Sequence, residues 1–135
     1  MEDLKMTCPC HSAYLYKNCC SIAHKNIKAV RTAEQLMRSR YSAFVLGNTN
    51  YLSRSHHSSQ KPTNEEMREI ELWTKSVTWI KLEITQTSMG LENDVLGTVE
   101  FTAHFKEAGK LQTIQEHSRF CKENGHWVYF DAIEN

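Results

Sequence analysis

The chain has 135 residues, 40% hydrophobic and 24% charged, and its sixteen basic side chains balance sixteen acidic ones. That length allows one ordinary domain with a small appendage, and the composition excludes a disordered polar chain. Neutrality argues against non-specific nucleic-acid binding through a general positive field. Residues 1–31 lean basic, with Lys5, Lys17, Lys25, Lys28 and Arg31 against Glu2 and Asp3, which reads as a solvated surface. The start, MEDLKM, is acidic with no apolar run behind it, so no secretory signal is read there. No stretch approaches the roughly 18 apolar residues that span a bilayer. The expected compartment is the reducing cytoplasm, where clustered cysteines hold metal more often than they form disulfides.

Four of the five cysteines come first along the chain, as Cys8-Pro9-Cys10, eight intervening residues, then Cys19-Cys20. Two close pairs joined by a short loop can supply the four ligands of a closed, tetrahedral zinc site. A divalent cation also removes the charge problem that four thiols packed together would otherwise face. The alternatives are a disulfide between the pairs, which needs an oxidising compartment, and an iron–sulfur cluster, which uses other spacings. His11 or His24 could replace one sulfur, and His24, four residues past Cys20, is the better substitute.

The segment CPCHSAYLYKNCC resembles the SEC-C motif, the zinc-binding tail first recognised in the preprotein translocase SecA. Cys8, Cys10, Cys19 and Cys20 match its four ligand positions, and the resemblance implies bound Zn2+. Motif members usually carry Gly-Ser after the second cysteine, where this chain has His11-Ser12.

Further on, Thr32 with Gln35 three residues later forms a capping-box pattern that opens a helix. Ala33, Leu36, Met37, Tyr41, Phe44 and Val45 give it one apolar face, and Gly47-Asn48 stops it. A short helical piece is predicted over Tyr51 to Arg54. A third helix starts at Pro62-Thr63, with Glu66 in capping register and an apolar edge of Met67, Ile70 and Trp73.

Then the period changes to two. Ile80, Leu82 and Ile84 alternate with Trp79, Lys81 and Glu83, and Val99, Phe101, Ala103 and Phe105 alternate with Glu100, Thr102 and His104. Ile114, Glu116, Ser118 and Phe120 alternate with Gln115, His117 and Arg119, and Trp127 to Ala132 form a last strand. Gly109 and Asn124-Gly125 mark the turns. Helices followed by an antiparallel meander predict an α+β domain.

The segments AEQLMRSRYSAFVLGN, YLSRSHHSS, VEFTAHF, QEHSRFCKENG and WVYFDA resemble the YchJ family of bacterial proteins. That resemblance implies a cone-shaped domain like nuclear transport factor two over residues 29–135, behind a SEC-C element at residues 1–28. Many relatives carry a second SEC-C motif, and this sequence reaches Asn135 without one. The family's Trp-His-Pro run stands here as His56-His57-Ser58, with only His57 in place.

Glu116 and Ser118 share the apolar face of their strand, and a carboxylate there needs a partner or a cavity. The expected partner is Arg38 or Arg40, and the candidate pocket inside the cone comprises Arg38, Arg40, Tyr41, His57, Glu116 and Ser118. The alternative is a buried Glu–Arg pair that fixes helix to sheet without a ligand. His57 could serve there as a base, assisted by Tyr41 or Asp131. His104 and His117 are expected on exposed strand faces or in a subunit contact, Cys121 and the tryptophans Trp79 and Trp127 in packing roles. No phosphate loop, nucleophile elbow or metal-binding pair of helical histidines is present.

Two functions follow as expectations. The first is an adaptor that contacts another protein through its SEC-C element, as the SecA tail contacts a chaperone and the ribosome. The second is a small-molecule enzyme or binding protein with its site in the cone. Neither membrane nor nucleic acid is an expected partner, and a homodimer is compatible with the sequence.

Overall fold

A short helix, α1 (Cys20–Lys25), follows the cysteine loop and leads through the single turn Ile27–Ala29 into the long helix α2 (Ala33–Leu46). The computed structural model describes residues 6–133. Two more helices follow, α3 (Thr49–Arg54) and α4 (Asn64–Ser76), and then four strands: β1 (Thr78–Met89), β2 (Leu96–Glu107), β3 (Lys110–Glu123) and β4 (His126–Ala132). The strands form one antiparallel sheet in the order β1-β2-β3-β4. The architecture is the predicted α+β meander.

Local chemistry sets the helix ends. Thr32 Oγ1 accepts the Gln35 N–H at 3.1 Å, which starts α2. Gly47 ends it in the left-handed conformation at φ 70°. Thr63 and Glu66 complete a reciprocal capping box at the start of α4, at 2.8 and 3.1 Å. Asn48 caps α3 through the Tyr51 N–H at 3.0 Å, so that helix begins two residues before its predicted start. The hairpin from β3 to β4 turns on Asn124 and Gly125, both at positive φ, as a tight primed turn requires.

The inner faces of α2 and the sheet meet in one core that includes Leu36, Tyr51, Val99, Phe101, Phe120 and Trp127. Register differs from strict alternation at one important place. Trp79 pairs with Phe105 and Lys81 with His104, so Ile80 is the extra residue of a bulge. The bulge turns Trp79 against the core and leaves Ile80 37% exposed, the reverse of the predicted faces for this pair. At the other end of β1, Gly97 lies so close to Gly90 that a Cβ on it would sit 2.4 Å from the Gly90 Cα. This close approach lets the Gly90 carbonyl accept the Ala33 N–H at 2.9 Å and seats the start of α2 on the sheet.

The N-terminal element is tied to the body at its junction. The boundary drawn between residues 28 and 29 falls inside the Ile27–Ala29 turn. Across it, Arg38 Nη1 donates to the Cys10 carbonyl at 2.8 Å, and Arg54 Nη2 donates to the His24 carbonyl at 3.0 Å. Ala23 belongs to the main core. Among the described residues no helix is long and apolar enough to cross a membrane.

Candidate metal centre and cone interior

Cys8 and Cys10 sit on a tight loop closed by the Cys8 N–H on the Tyr14 carbonyl, 2.8 Å, and a bridge between Thr7 and Leu15. His11 follows at φ 64°, a conformation that glycine adopts without strain. The SEC-C motif usually has glycine at this position. Cys19 precedes α1 and Cys20 is its first residue.

The four sulfurs converge, all within 4.8 Å of one another. Cys10 Sγ lies 3.7 Å from Cys19 Sγ, and Cys19 Sγ 4.0 Å from Cys20 Sγ. A tetrahedron with zinc–sulfur bonds of about 2.3 Å has edges of about 3.8 Å. All four are free thiols, at separations far above a disulfide bond. Without a cation they cannot all ionise. Hydrogen bonds from the Cys10 and Cys20 sulfurs hold Cys8 far below the ordinary thiol range, and those with Cys10 and Cys8 push Cys20 far above it. Burial lifts Cys19 to about 11, opposed by the Ser12 hydroxyl, which lies 3.2 Å from its sulfur. A divalent cation would offset this repulsion, so the donor set fits a thiolate-bound metal ion.

Neither histidine joins that group. His24 Nε2 donates to the Ser39 carbonyl at 2.8 Å, which leaves Nδ1 to accept the Tyr16 hydroxyl at 2.7 Å. Both ring nitrogens are used, and burial holds its pKa below the ordinary histidine value. His24 is a buried strut between the cysteine loop and α2. His11 is exposed, edge-on to Tyr41 at 6.4 Å.

Between α2, α4 and the inner face of the sheet lies a cavity of about 250 Å³. Arg40, Tyr41, Glu116 and Ser118 line it, as the sequence suggests. Arg38 and His57 lie elsewhere. Arg38 is two positions from Arg40 on the helix, so it points away, to Glu34 Oε2 at 2.9 Å and to the Cys10 carbonyl. His56 forms a parallel bridge with Tyr129 of β4, with Tyr129 N–H on the Ser55 carbonyl and His57 N–H on the Tyr129 carbonyl, at 2.7 and 2.8 Å. Side chains alternate along such a bridge, so His56 faces inward and His57 outward. His57 packs edge-on against Phe130, with Nε2 3.4 Å from Glu123 and Nδ1 2.7 Å from the Ser59 hydroxyl. Asp131 pairs with Arg119, Oδ1 to Nε at 2.6 Å, outside the cavity lining.

The expected Glu116–Arg pair is absent among the described residues. Glu116 Oε2 accepts the Ser118 hydroxyl at 2.5 Å and the Tyr129 hydroxyl at 3.2 Å. Arg40, 6% exposed, donates to the Leu52 carbonyl at 3.0 Å, the Ser55 hydroxyl at 2.6 Å and His56 Nε2 at 3.0 Å. Its guanidinium lies over the Tyr129 ring, 4.7 Å from the centroid. Tyr129 therefore stands between the two charges, with its ring on one and its hydroxyl on the other. Desolvation pulls Arg40 down to about 10. His56 and Tyr129 complete the polar wall; sequence alone pointed to neither, because their placement depends on how residues 55–57 pair with β4.

His56 has a consequence for stability. Burial, with the Arg40 charge second, lowers it from 6.5 to about 4. The unfolded chain takes up the proton first as pH falls. The contribution of His56 is therefore complete above about pH 6.5 and is lost on acidification toward pH 4. Allowing for its partial exposure, about 1–2 kcal/mol of stability disappears across that window. Urea unfolding of the native chain and of His56→Gln, which keeps an acceptor for Arg40, measures it. The variant should lack this part of the pH slope, and equal slopes would contradict the assignment.

His104 and Glu83, 2.5 Å apart, and His117 and Glu100, 3.4 Å apart, pair across strands at the surface. Cys121 is half-buried, and desolvation raises its thiol pKa, consistent with an unreactive side chain.

Comparison with known proteins agrees with this architecture. The family described as YchJ, middle NTF2-like domain, matches residues 32–132. A UPF0225 protein of Vibrio parahaemolyticus is 46% identical over 127 residues, 93% of this chain and 74% of that protein. One from Chromobacterium violaceum is 36% identical over 132 residues, covering 98% and 96%. The crystal structure of a SEC-C motif containing protein from Psychrobacter arcticus superposes with a TM-score of 0.80 at 30% identity, over 100% of this chain and 87% of that one. The solution structure of a SEC-C motif containing protein from Rhodopseudomonas palustris gives 0.79 at 27% identity, covering 96% and 99%.

Proposed function

We propose that this chain, which belongs to the YchJ family, is a cytoplasmic zinc-binding adaptor whose cysteine knuckle contacts another protein. Zn2+ on Cys8, Cys10, Cys19 and Cys20 would supply structural closure, since four thiolates leave no open position for catalysis. The observation that carries the reading is the convergence of the four sulfurs within 4.8 Å.

The knuckle also offers a surface that the body does not use. Tyr14 is 67% and Ile22 49% exposed on it. Both border a groove of about 350 Å³ between α1 and α2 that also reaches Cys19 and the paired Glu34 and Arg38. Residues 6–31 contain Lys17, Lys25, Lys28 and Arg31 and no carboxylate. An acidic partner segment with an apolar anchor suits that combination.

Partner capture with three forms of the protein tests the reading. Tyr14→Ser with Ile22→Ser should lose the partner while keeping the metal, and Cys19→Ser should lose both. Identical partner lists for all three would overturn the adaptor role.

A further inference from the structure

We infer that the cone interior binds a small uncharged aromatic molecule that donates a hydrogen bond to Glu116. This site lies apart from the knuckle and stands whether or not the knuckle docks a protein.

Size comes first. An apolar cavity of about 150 Å³ accommodates one benzene ring. At about 250 Å³ the cone holds one substituted ring or a fused pair, and falls below the usual range for drug-sized ligands.

The walls favour a flat ring. Trp73 and Trp79 stand nearly perpendicular, 87° with centroids 5.4 Å apart, and Tyr41 meets Trp79 at 75° and 5.5 Å. All three line the cavity. The indole N–H groups are already used, Trp73 on Glu107 at 3.1 Å and Trp79 on Thr74 at 3.0 Å. The tryptophans therefore offer apolar surface rather than hydrogen bonds. Ile70 and Trp73 of α4 are only half-buried, because that helix covers a space instead of a packed layer.

Charge then selects against ions. The Arg40 guanidinium and the Glu116 carboxylate line the same small space. An anion would meet Glu116 and a cation would meet Arg40, whereas a neutral molecule meets no like charge.

Glu116 supplies the polar anchor. Both of its protein donors, Ser118 and Tyr129, bond Oε2. Oε1 accepts no hydrogen bond among the described residues, and the buried polar atom of the lining that lacks a partner is His56 Nδ1. A carboxylate oxygen accepts only, so its complement is an O–H or N–H. Arg40 donates to Leu52, Ser55 and His56, and these bonds fix it as part of the wall.

The test uses the metal-loaded 135-residue chain labelled with 15N and four probes of one ring each: phenol, toluene, benzoate and benzylammonium. The indole signals of Trp73 and Trp79 report the cavity. That of Trp127, tied to the Arg31 carbonyl at 3.0 Å and outside the lining, is the control. Phenol should shift the first two saturably, leave the third in place, and bind about tenfold or more tighter than toluene, as a hydrogen bond to a charged group implies. Both ions should bind more weakly than phenol. In Glu116→Leu the preference for phenol over toluene should fall to near unity, and Ile70→Phe should block both. The proposal fails if neither cavity signal saturates, if Trp127 responds equally, if an ion is preferred, or if the phenol preference survives in Glu116→Leu. Should that variant not fold, the ranking of the four probes on the native chain decides.

Discussion

A Cys10→Ser substitution, or chelation under reducing conditions, should release the knuckle and leave the sheet folded. The purified native protein is expected to carry one zinc per chain and the variant none, as elemental analysis will measure. Cys10 is fully buried among the other sulfurs, and a hydroxyl there removes a thiolate that no neighbouring histidine can replace. A segment of some twenty residues buries too little apolar surface to stay ordered alone, so metal binding supplies its folding free energy.

Amide exchange should rise across residues 7–25 while β2 and β3 remain protected. The body should still weaken. His24, tilted against Tyr51 at 4.6 Å, would withdraw its hydrogen bond from the Ser39 carbonyl and its ring from the core. Because that carbonyl keeps its bond within α2, the loss is the net worth of one hydrogen bond, about 0.5–1.5 kcal/mol. Metal-free native protein under reducing conditions would sink the prediction, as would chelation that melts the whole chain in one step.

Arg40→Met should be the most damaging substitution in the body, at about 3–5 kcal/mol. Methionine fills much of the volume but strands His56 Nε2 and leaves the Leu52 carbonyl and the Ser55 hydroxyl with only their mutual bond. It also removes the positive charge nearest Tyr129 and leaves Glu116 uncompensated in the cavity. Arg40→Lys should recover less than half of the loss, because one ammonium cannot replace a planar fork aimed at three acceptors. Urea denaturation checks both variants through a lower midpoint at unchanged slope. A loss below about 1 kcal/mol for Arg40→Met would mean that water replaces the guanidinium readily.

Features decided within a few residues could be read directly from the chain. The two threonine caps, the Asn124-Gly125 turn and the spacing of Cys8, Cys10, Cys19 and Cys20 are of this kind. Three others depend on pairing partners far away in sequence. The bulge at Ile80 exchanges the faces of Ile80 and Trp79, and no local signal marks it. His56 and His57 exchange roles because β4 holds His56 in a bridge with Tyr129. Arg38 and Arg40 are two positions apart on one helix, and buried Ser39 and Ser42 blur the apolar stripe that would have told inside from outside. His57, the residue that matches the family's motif, packs outside against Phe130, and its neighbour His56 lines the cavity.

Helix α2 is read from two sides at once. Ser39 and Ser42 meet the knuckle through His24 and Cys8, the latter at 3.5 Å, while Arg40 and Tyr41 face the cavity. An α-helix turns about 100° per residue. One inserted residue near its middle would swing Ser42 away from Cys8 and carry a different side chain into its place. The stretch RSRYS can therefore tolerate exchange of single side chains far better than any change in its count, and evolutionary drift in length should be confined to the loops on either side.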